Sequence, residues 1–149
     1  MHAPKDYQCP FCAIVAGDSE RKRDVIFEND DIIAFVALRQ KANNLGHGLV
    51  VPKKHYENLY EIPDDLLAKV YIGVKKLAIA TKKAYRSDGI TTRQHNEPGG
   101  GQDVWHFHVH VYPRYRGDRF YEDYDNIVAT GMPERTESAK KLRAALSVD

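Results

Sequence analysis

Between Asp64 and Arg86, the residues Leu66, Leu67, Val70, Tyr71, Val74, Leu77, Ala78, Thr81 and Tyr85 recur at helical spacing, while Lys69, Lys75, Lys76, Lys82 and Lys83 fall elsewhere. That stripe predicts the longest helix of the chain, with Pro63 suited to its first turn and Gly89 to its exit. Tyr71 and Tyr85 sit in the stripe and are assigned to the core. Two shorter helices follow from the same pattern. One covers Pro10 to Ala16, stopped by Gly17-Asp18-Ser19; the other covers Pro133 to Leu146, with Ala139, Leu142 and Leu146 on one side. Short apolar runs predict strands at Asp24 to Glu28 and Ile32 to Leu38, around the turn Asn29-Asp30-Asp31. Further strands are expected at Gly48 to Val51, ended by Pro52, at Gly89 to His95, and from Val104 onward. Strands outnumber helices and are joined mostly by short loops. This predicts one α+β domain over residues 1–149, an antiparallel sheet with helices on its apolar face.

The run from Val104 to Arg114 carries chemistry. Trp105, Phe107, Val109 and Val111 alternate with His106, His108 and His110. A strand points successive side chains to opposite faces, so one face is apolar and the other holds three imidazoles. A face of histidine alone builds no core; it is a site. With ~3.3 Å of rise per residue, His106 and His110 are roughly 13 Å apart along an ideal strand. A tetrahedral metal needs its donors within about 4 Å of one another, so the three histidines have different jobs. Imidazole serves as nucleophile, hydrogen-bond donor or metal ligand.

A length of 149 residues suits a single domain that buries about 70% of its unfolded surface. The formal net charge is +1, which gives no electrostatic support for broad binding to duplex nucleic acid. A local group of Lys53, Lys54, Arg114, Arg116 and Arg119 would serve a few phosphates. The opening residues lack an apolar signal region and nothing approaches the ~18 apolar residues of a membrane span, so a cytoplasmic protein is expected. The only two cysteines, Cys9 and Cys12, stand in Cys-Pro-Phe-Cys. In a reducing compartment this spacing reads as a metal or redox motif. A redox motif wants a strand before it, and almost no sequence precedes Cys9. Zinc needs two further ligands, for which His55 and His106 are available.

His106-Phe-His-Val-His-Val-Tyr112 resembles the signature of the histidine triad (HIT) superfamily of nucleotide hydrolases and transferases. Gly46-His47-Gly-Leu-Val-Val-Pro52-Lys-Lys-His55 is similar to the family's Gly-His-x-Leu-Val-x-Pro-Lys-x-His segment. Asn96 to Gln102 is similar to its Gly-rich approach to the triad. The likeness runs from about Cys9 to Arg116 and leaves the C-terminal extension aside. It implies a five-stranded antiparallel sheet, a two-fold homodimer through the Asp64–Arg86 helix, and a nucleotide substrate, a purine such as adenosine. In the zinc-carrying bacterial branch the ligands match Cys9, Cys12, His55 and His106, a structural ion with no catalytic metal required.

The same resemblance implies that His108 attacks the α-phosphorus of an adenylated or dinucleoside polyphosphate substrate. The nucleotidyl-histidine so formed is hydrolysed to a nucleoside monophosphate, with His110 donating to a phosphate or leaving-group oxygen. His47 orients the surroundings, and Asn96, Gly101, Gln102 and Asp103 contact phosphate. Two departures stand out. Asp103 replaces the hydroxyl of nucleoside phosphoramidase relatives, and acts either as a proton donor or as a holder of a neighbouring backbone N–H, the second being favoured. Ala37-Leu38 lacks the Asp or Asn that binds ribose in relatives, leaving Asn43 or Asn44 to supply the contact. Two other readings remain open: a nucleotide-binding or partner-binding regulatory protein with incidental hydrolysis, and a metal-dependent hydrolase with zinc on His106 and His108.

Overall fold

A computed structural model describes residues 1–17 and 20–146; the Asp18-Ser19 part of the expected helix stop lies outside them. Helix α1 (Pro10–Ala16) opens on Cys9, whose sulfur accepts the N–H of Cys12, and closes on Gly17 in the left-handed region at φ 74°. Strands β1 (Val25–Glu28), β2 (Ile32–Val36), β3 (Arg39–Lys41), β4 (Gly48–Pro52), β5 (Gly89–Gln94), β6 (Val109–Arg114) and β7 (Ile127–Ala129) follow, with α2 (Asp64–Tyr85) between β4 and β5 and α3 (Met132–Leu146) at the end. Five strands form one antiparallel sheet in the order β1-β2-β4-β6-β5, and β3 pairs with β7 in a second ladder. The α+β reading and the five-stranded sheet hold; the β3–β7 ladder carried no alternating apolar signal and was not foreseen.

Strands β2 and β4 are buried along their whole length. Their alternate residues feed two clusters. Ile32, Ala34, Val36 and Val50 join Phe107, Val109 and Val111 under α2 and α3. Ile33, Phe35, Ala37, Leu49 and Val51 meet Phe11 and Ile14 of α1 on the opposite face. The two long helices therefore share one face, as expected, and α1 caps the other. Each buried Val, Leu or Ile is worth about 1.5–3 kcal/mol, so this two-sided burial fixes the register of β2 and β4.

Helix α2 presents Val70, Gly73, Val74, Leu77, Ala80 and Thr81 to the sheet. A Cβ at Gly73 would stand 2.5 Å from the Ile32 side chain; the small residues let the helix axis come close. This turns the stripe away from the expected edge. Tyr71, assigned to the core from the sequence, is 45% exposed, beside Ile72 and Ile79, which are also exposed. Tyr85 does pack on the core, against Gly46, where φ is 108° and a Cβ would clash with the tyrosine ring.

Several boundaries differ from expectation, and three of them bear on the site or the packing. Asp24 ends a 3₁₀ turn (Glu20–Asp24) instead of starting β1, and its buried carboxylate accepts from Arg21 and Arg135, tying α3 to the sheet. Ala37 and Leu38 leave β2, where the N–H of Ala37 turns to the carbonyl of His47. The histidine-bearing strand begins at Val109, five residues later than expected. Upstream of it the neighbouring strands offer no ladder. Pro52 has no N–H to give, its carbonyl is taken by the His106 ring, and the N–H of Phe107 goes to the carbonyl of Tyr56. Trp105 consequently lies outside both core clusters, half-buried, with its N–H on the Tyr7 hydroxyl and its ring 5.8 Å from His2.

Candidate active site and metal centre

His106, His108 and His110 still alternate with the core residues Phe107, Val109 and Val111, so all three rings lie on the α1 side of the sheet. The His106 ring is buried. Its Nε2–H donates to the carbonyl of Pro52 at 2.8 Å, which leaves Nδ1 with its lone pair. That nitrogen is 3.3 Å from the sulfur of Cys9 and 3.6 Å from that of Cys12, whose sulfur is in turn 3.3 Å from Nδ1 of His55. The four donor atoms all lie within 4.8 Å of one another. Two sulfurs and two imidazoles at this spacing suit tetrahedral zinc, and the Pro52 carbonyl has selected the tautomer that ligation requires. Burial and the neighbouring Cys9 thiol push the Cys12 thiol up to about 11, so a cation is what would hold these sulfurs as thiolates. Cys9, Cys12, His55 and His106 are the residues read from the sequence as the zinc ligands; His108 stands outside this group.

The carbonyl of His106 faces the other way and accepts Nδ1–H of His108 at 2.7 Å. The Nε2 lone pair of His108 therefore points into a cleft of about 360 Å³, lined in part by Phe35, Leu38, Leu49, His47 and Asp103. Phe11 stands edge-on to His108, with ring centroids 5.2 Å apart. Burial lowers the pKa of His108, so the ring is neutral and its nitrogen nucleophilic.

The third histidine belongs to a relay. Nδ1–H of His47 donates to the carbonyl of Arg39 at 3.1 Å, since a carbonyl only accepts. Neutral His47 then presents a lone pair at Nε2, 2.9 Å from Nδ1 of His110, which must be the donor. His110 therefore turns an Nε2 lone pair toward the cleft. Burial drives His47 down to about 3 and His110 below the usual imidazole range; His108 and Arg93 also oppose charge on both rings, and His47 opposes it on His110. Gln40 holds the backbone of this segment, accepting the N–H groups of Gly46 and His47 and donating to the His47 carbonyl.

The expected phosphate contacts are only partly assembled. Gln102 is buried, its amide donating to the carbonyls of Glu57 and Val104 while its oxygen accepts the N–H of Glu97. It clamps the Gly-rich loop and does not face the cleft. Asn96 accepts the N–H of Leu59 and exchanges hydrogen bonds with Gln94. Gly101 is exposed at φ 79° and closes a 3₁₀ turn. The N–H groups of Gly100, Gly101 and Gln102 are spent inside the loop, whereas those of Asp103 and Val104, at the cleft, meet no acceptor among the described residues. The Asp103 carboxylate stands 3.7 Å from Nε2 of His108 and takes no backbone N–H among the described residues, so the favoured role of holding one is not what the geometry provides.

Asn44, a candidate ribose contact, is buried and donates to the carbonyl of Pro113 and the carboxylate of Asp118; Asn43 donates to the carbonyl of Asp118. Neither lines the cleft. Three of the five residues of the expected basic group are drawn into ion pairs, Lys53 with Glu28, Arg114 with Asp118, and Arg119 with Glu122 and Asp123. Sequence reasoning passed over Phe11, Tyr112, Arg93 and His95. Tyr112 stacks on His47 at 3.9 Å, and Arg93 is the register partner of His110 on β5. Their one signal was period two, Thr91-Arg93-His95 matching the histidine face.

The HIT domain family model matches residues 18–117. The protein named hit of Bacillus subtilis is 37% identical over 121 residues, 80% of this chain and 79% of that protein. An Arabidopsis thaliana adenylylsulfatase is 31% identical over 74% of this chain and 54% of its own length. A zinc-bound histidine triad family protein from Mycobacterium smegmatis superposes with a TM-score of 0.79 at 31% identity, covering 94% of each chain. No helix among the described residues is long and apolar enough to cross a membrane.

The metal centre is expected to hold one zinc per chain by elemental analysis. Cys9→Ser should lower both metal content and melting temperature while keeping the far-UV spectrum. A purified protein without zinc, its two thiols titrating freely, would contradict the assignment. His47 gives a pH expectation. Its folded pKa of about 3 lies below the ordinary ~6.5, so its contribution to stability is complete above pH ~6.5 and is lost as pH falls toward 3, because the unfolded chain takes the proton first. Urea titrations should show stability falling from pH 6.5 to 4, by up to about 1.4 kcal/mol per unit from this residue. His47→Gln should flatten that fall; identical slopes would show that the ring is not held neutral.

Proposed function

Because the chain belongs to the HIT domain family, we propose that it is a nucleotide hydrolase in which His108 is the nucleophile and His110 the proton donor. The observation that carries this reading is the hydrogen bond from Nδ1 of His108 to the His106 carbonyl, which aims an unprotonated Nε2 into the cleft. The adenylylsulfatase among its relatives supports a nucleotide bearing an acidic leaving group on its α-phosphate.

The apolar wall of Phe35, Leu38 and Leu49 suits a flat purine base such as adenine, and a base bound there would have its α-phosphate against the histidines. The N–H groups of Asp103 and Val104 are the donors available to its oxygens. His108 Nε2 forms a bond to phosphorus as the bond to the leaving group breaks. His110, an acceptor in the free site, takes up a proton from solvent as the anionic phosphate arrives and passes it to the departing atom. Water then cleaves the phosphorus–nitrogen bond, releasing a nucleoside monophosphate and restoring the imidazole. Zinc held by Cys9, Cys12, His55 and His106 would supply rigidity to the His106 backbone and takes no step in this chemistry. The paired thiols suit a reducing, cytoplasmic location.

His108→Asn should lower turnover by about three orders of magnitude or more while leaving nucleotide affinity largely intact, since only the nucleophilic nitrogen is lost. Wild-type protein quenched during turnover should carry a mass increment of one nucleoside monophosphate on His108. An active variant, or an adduct on His106 or His110, would refute the role. We also propose a homodimer through α2, on which Tyr71, Ile72 and Ile79 are exposed. Sedimentation should give a species of about twice 17.0 kDa; a monomer at micromolar concentration would exclude it.

A further inference from the structure

The nucleoside cleft lies on the β2 and β4 side of His110. On the opposite, β5 side stands a strip of side chains that the proposed reaction does not yet use. Arg93 is directly across from His110, and directly opposed residues project to the same face. Its guanidinium lies 4.6 Å from the ring centre of Phe120 and 5.0 Å from that of Tyr121. These rings fix the side chain and strip part of its water without supplying a counter-charge. Its neighbour Arg114 is different, gripped by both oxygens of Asp118 at 2.7 and 3.0 Å. Arg93 has no carboxylate within 4 Å among the described residues.

The surroundings favour negative charge at this point. The Tyr121 ring lies 5.0 Å from the guanidinium groups of both Arg93 and Arg114, and its polar neighbours Thr91, Arg114 and Arg93 pull its pKa below the ordinary phenol value. At the other end of the strip, the His95 ring lies 5.6 Å from His110, its Nδ1–H on the carbonyl of Gly100, its second nitrogen without a hydrogen-bond partner among the described residues. The strip thus runs from the Gly-rich loop, past the proton donor, to a phenol between two guanidinium groups.

We propose that Arg93, with His95 and Tyr121, binds the anionic tail of the leaving group, so that the preferred substrate is a nucleoside or dinucleoside polyphosphate and not an amine-bearing phosphoramidate. This rests on the hydrolysis proposed above. With the base in the cleft and the α-phosphate between His108 and His110, the distal phosphates continue across β6 onto the strip. A guanidinium fixed on aromatic rings gains two charge-assisted hydrogen bonds to phosphate there. A neutral amine offers it no such partner.

The test compares dinucleoside tetraphosphate with an adenosine phosphoramidate of a neutral alkylamine, on wild-type protein and on Arg93→Gln. The ratio of kcat/KM for tetraphosphate over amine should fall about tenfold in the variant, as expected for one charge-assisted contact, and Arg93→Lys should recover part of it. Wild-type preference for the tetraphosphate should weaken with salt. An unchanged ratio, whether both substrates suffer equally or neither does, overturns the subsite. If wild-type protein turns over neither substrate, the hydrolysis itself fails, and the strip is judged by calorimetry with inorganic tripolyphosphate. Affinity weakened about tenfold by Arg93→Gln sustains the anion site; equal affinity overturns it.

Discussion

The two faces of one residue, His106, hold the site together. Its ring joins the four-donor group and is locked by the Pro52 carbonyl, while its own carbonyl locks the ring of His108. A buried imidazole left without these partners would cost about 1–3 kcal/mol per unsatisfied group. Satisfying both His106 and His108 leaves one orientation for each. The helix α1 reinforces this, because Phe11, between the two cysteines, touches the rings of both histidines edge-on. The metal centre and His108, the proposed nucleophile, are therefore adjacent parts of one rigid unit built from α1, the end of β4 and the approach to β6.

That unit exists because the ladder stops. A regular strand from Val104 would spend every N–H on a neighbour and alternate its side chains along a straight line. The break before Val109 instead sends the Phe107 N–H to the loop at Tyr56 and frees the N–H groups of Asp103 and Val104 at the cleft. It also lets His106 fold onto Pro52. Only His110 remains under ladder control, where its register with Leu49 and Arg93 fixes its place between the cleft and the β5 strip.

How far the sequence revealed this can be judged residue by residue. The stripe of α2, the buried runs of β2 and β4, and the alternating histidines are short-period signals; the helix and both buried strands form there, and the histidines keep to one face although only His110 lies within a strand. The cysteine spacing pointed to a metal, and the structure gathers Cys9, Cys12, His55 and His106. What failed depends on long-range geometry. Tyr71 fell on the wrong side of α2 because Gly73 and Ala80 draw the helix onto Ile32, a rotation that a hydrophobicity stripe does not record. Asn44 looked like a free polar loop residue, yet Asp118, 74 positions away, claims its amide. Gln102 fitted the phosphate motif, but its amide is engaged by Glu57 and Val104.

Charge is distributed across the site with a direction. His47, His108 and His110 are kept neutral by desolvation, so none of them alone attracts an anion. The one carboxylate nearby, Asp103, faces the nucleophile and would repel a phosphate placed on it. Its side chain is 73% exposed, where water screens most of that repulsion, whereas His108 is buried. The compensating positive charge lies on the other side of His110, in Arg93. In the proposed reaction, a polyanion would be drawn along β5 and meet the histidines with its α-phosphate toward His108 and its tail away from Asp103. The positive charge near the site comes from a residue flanking the triad, while His108 and His110 are neutral in the free site.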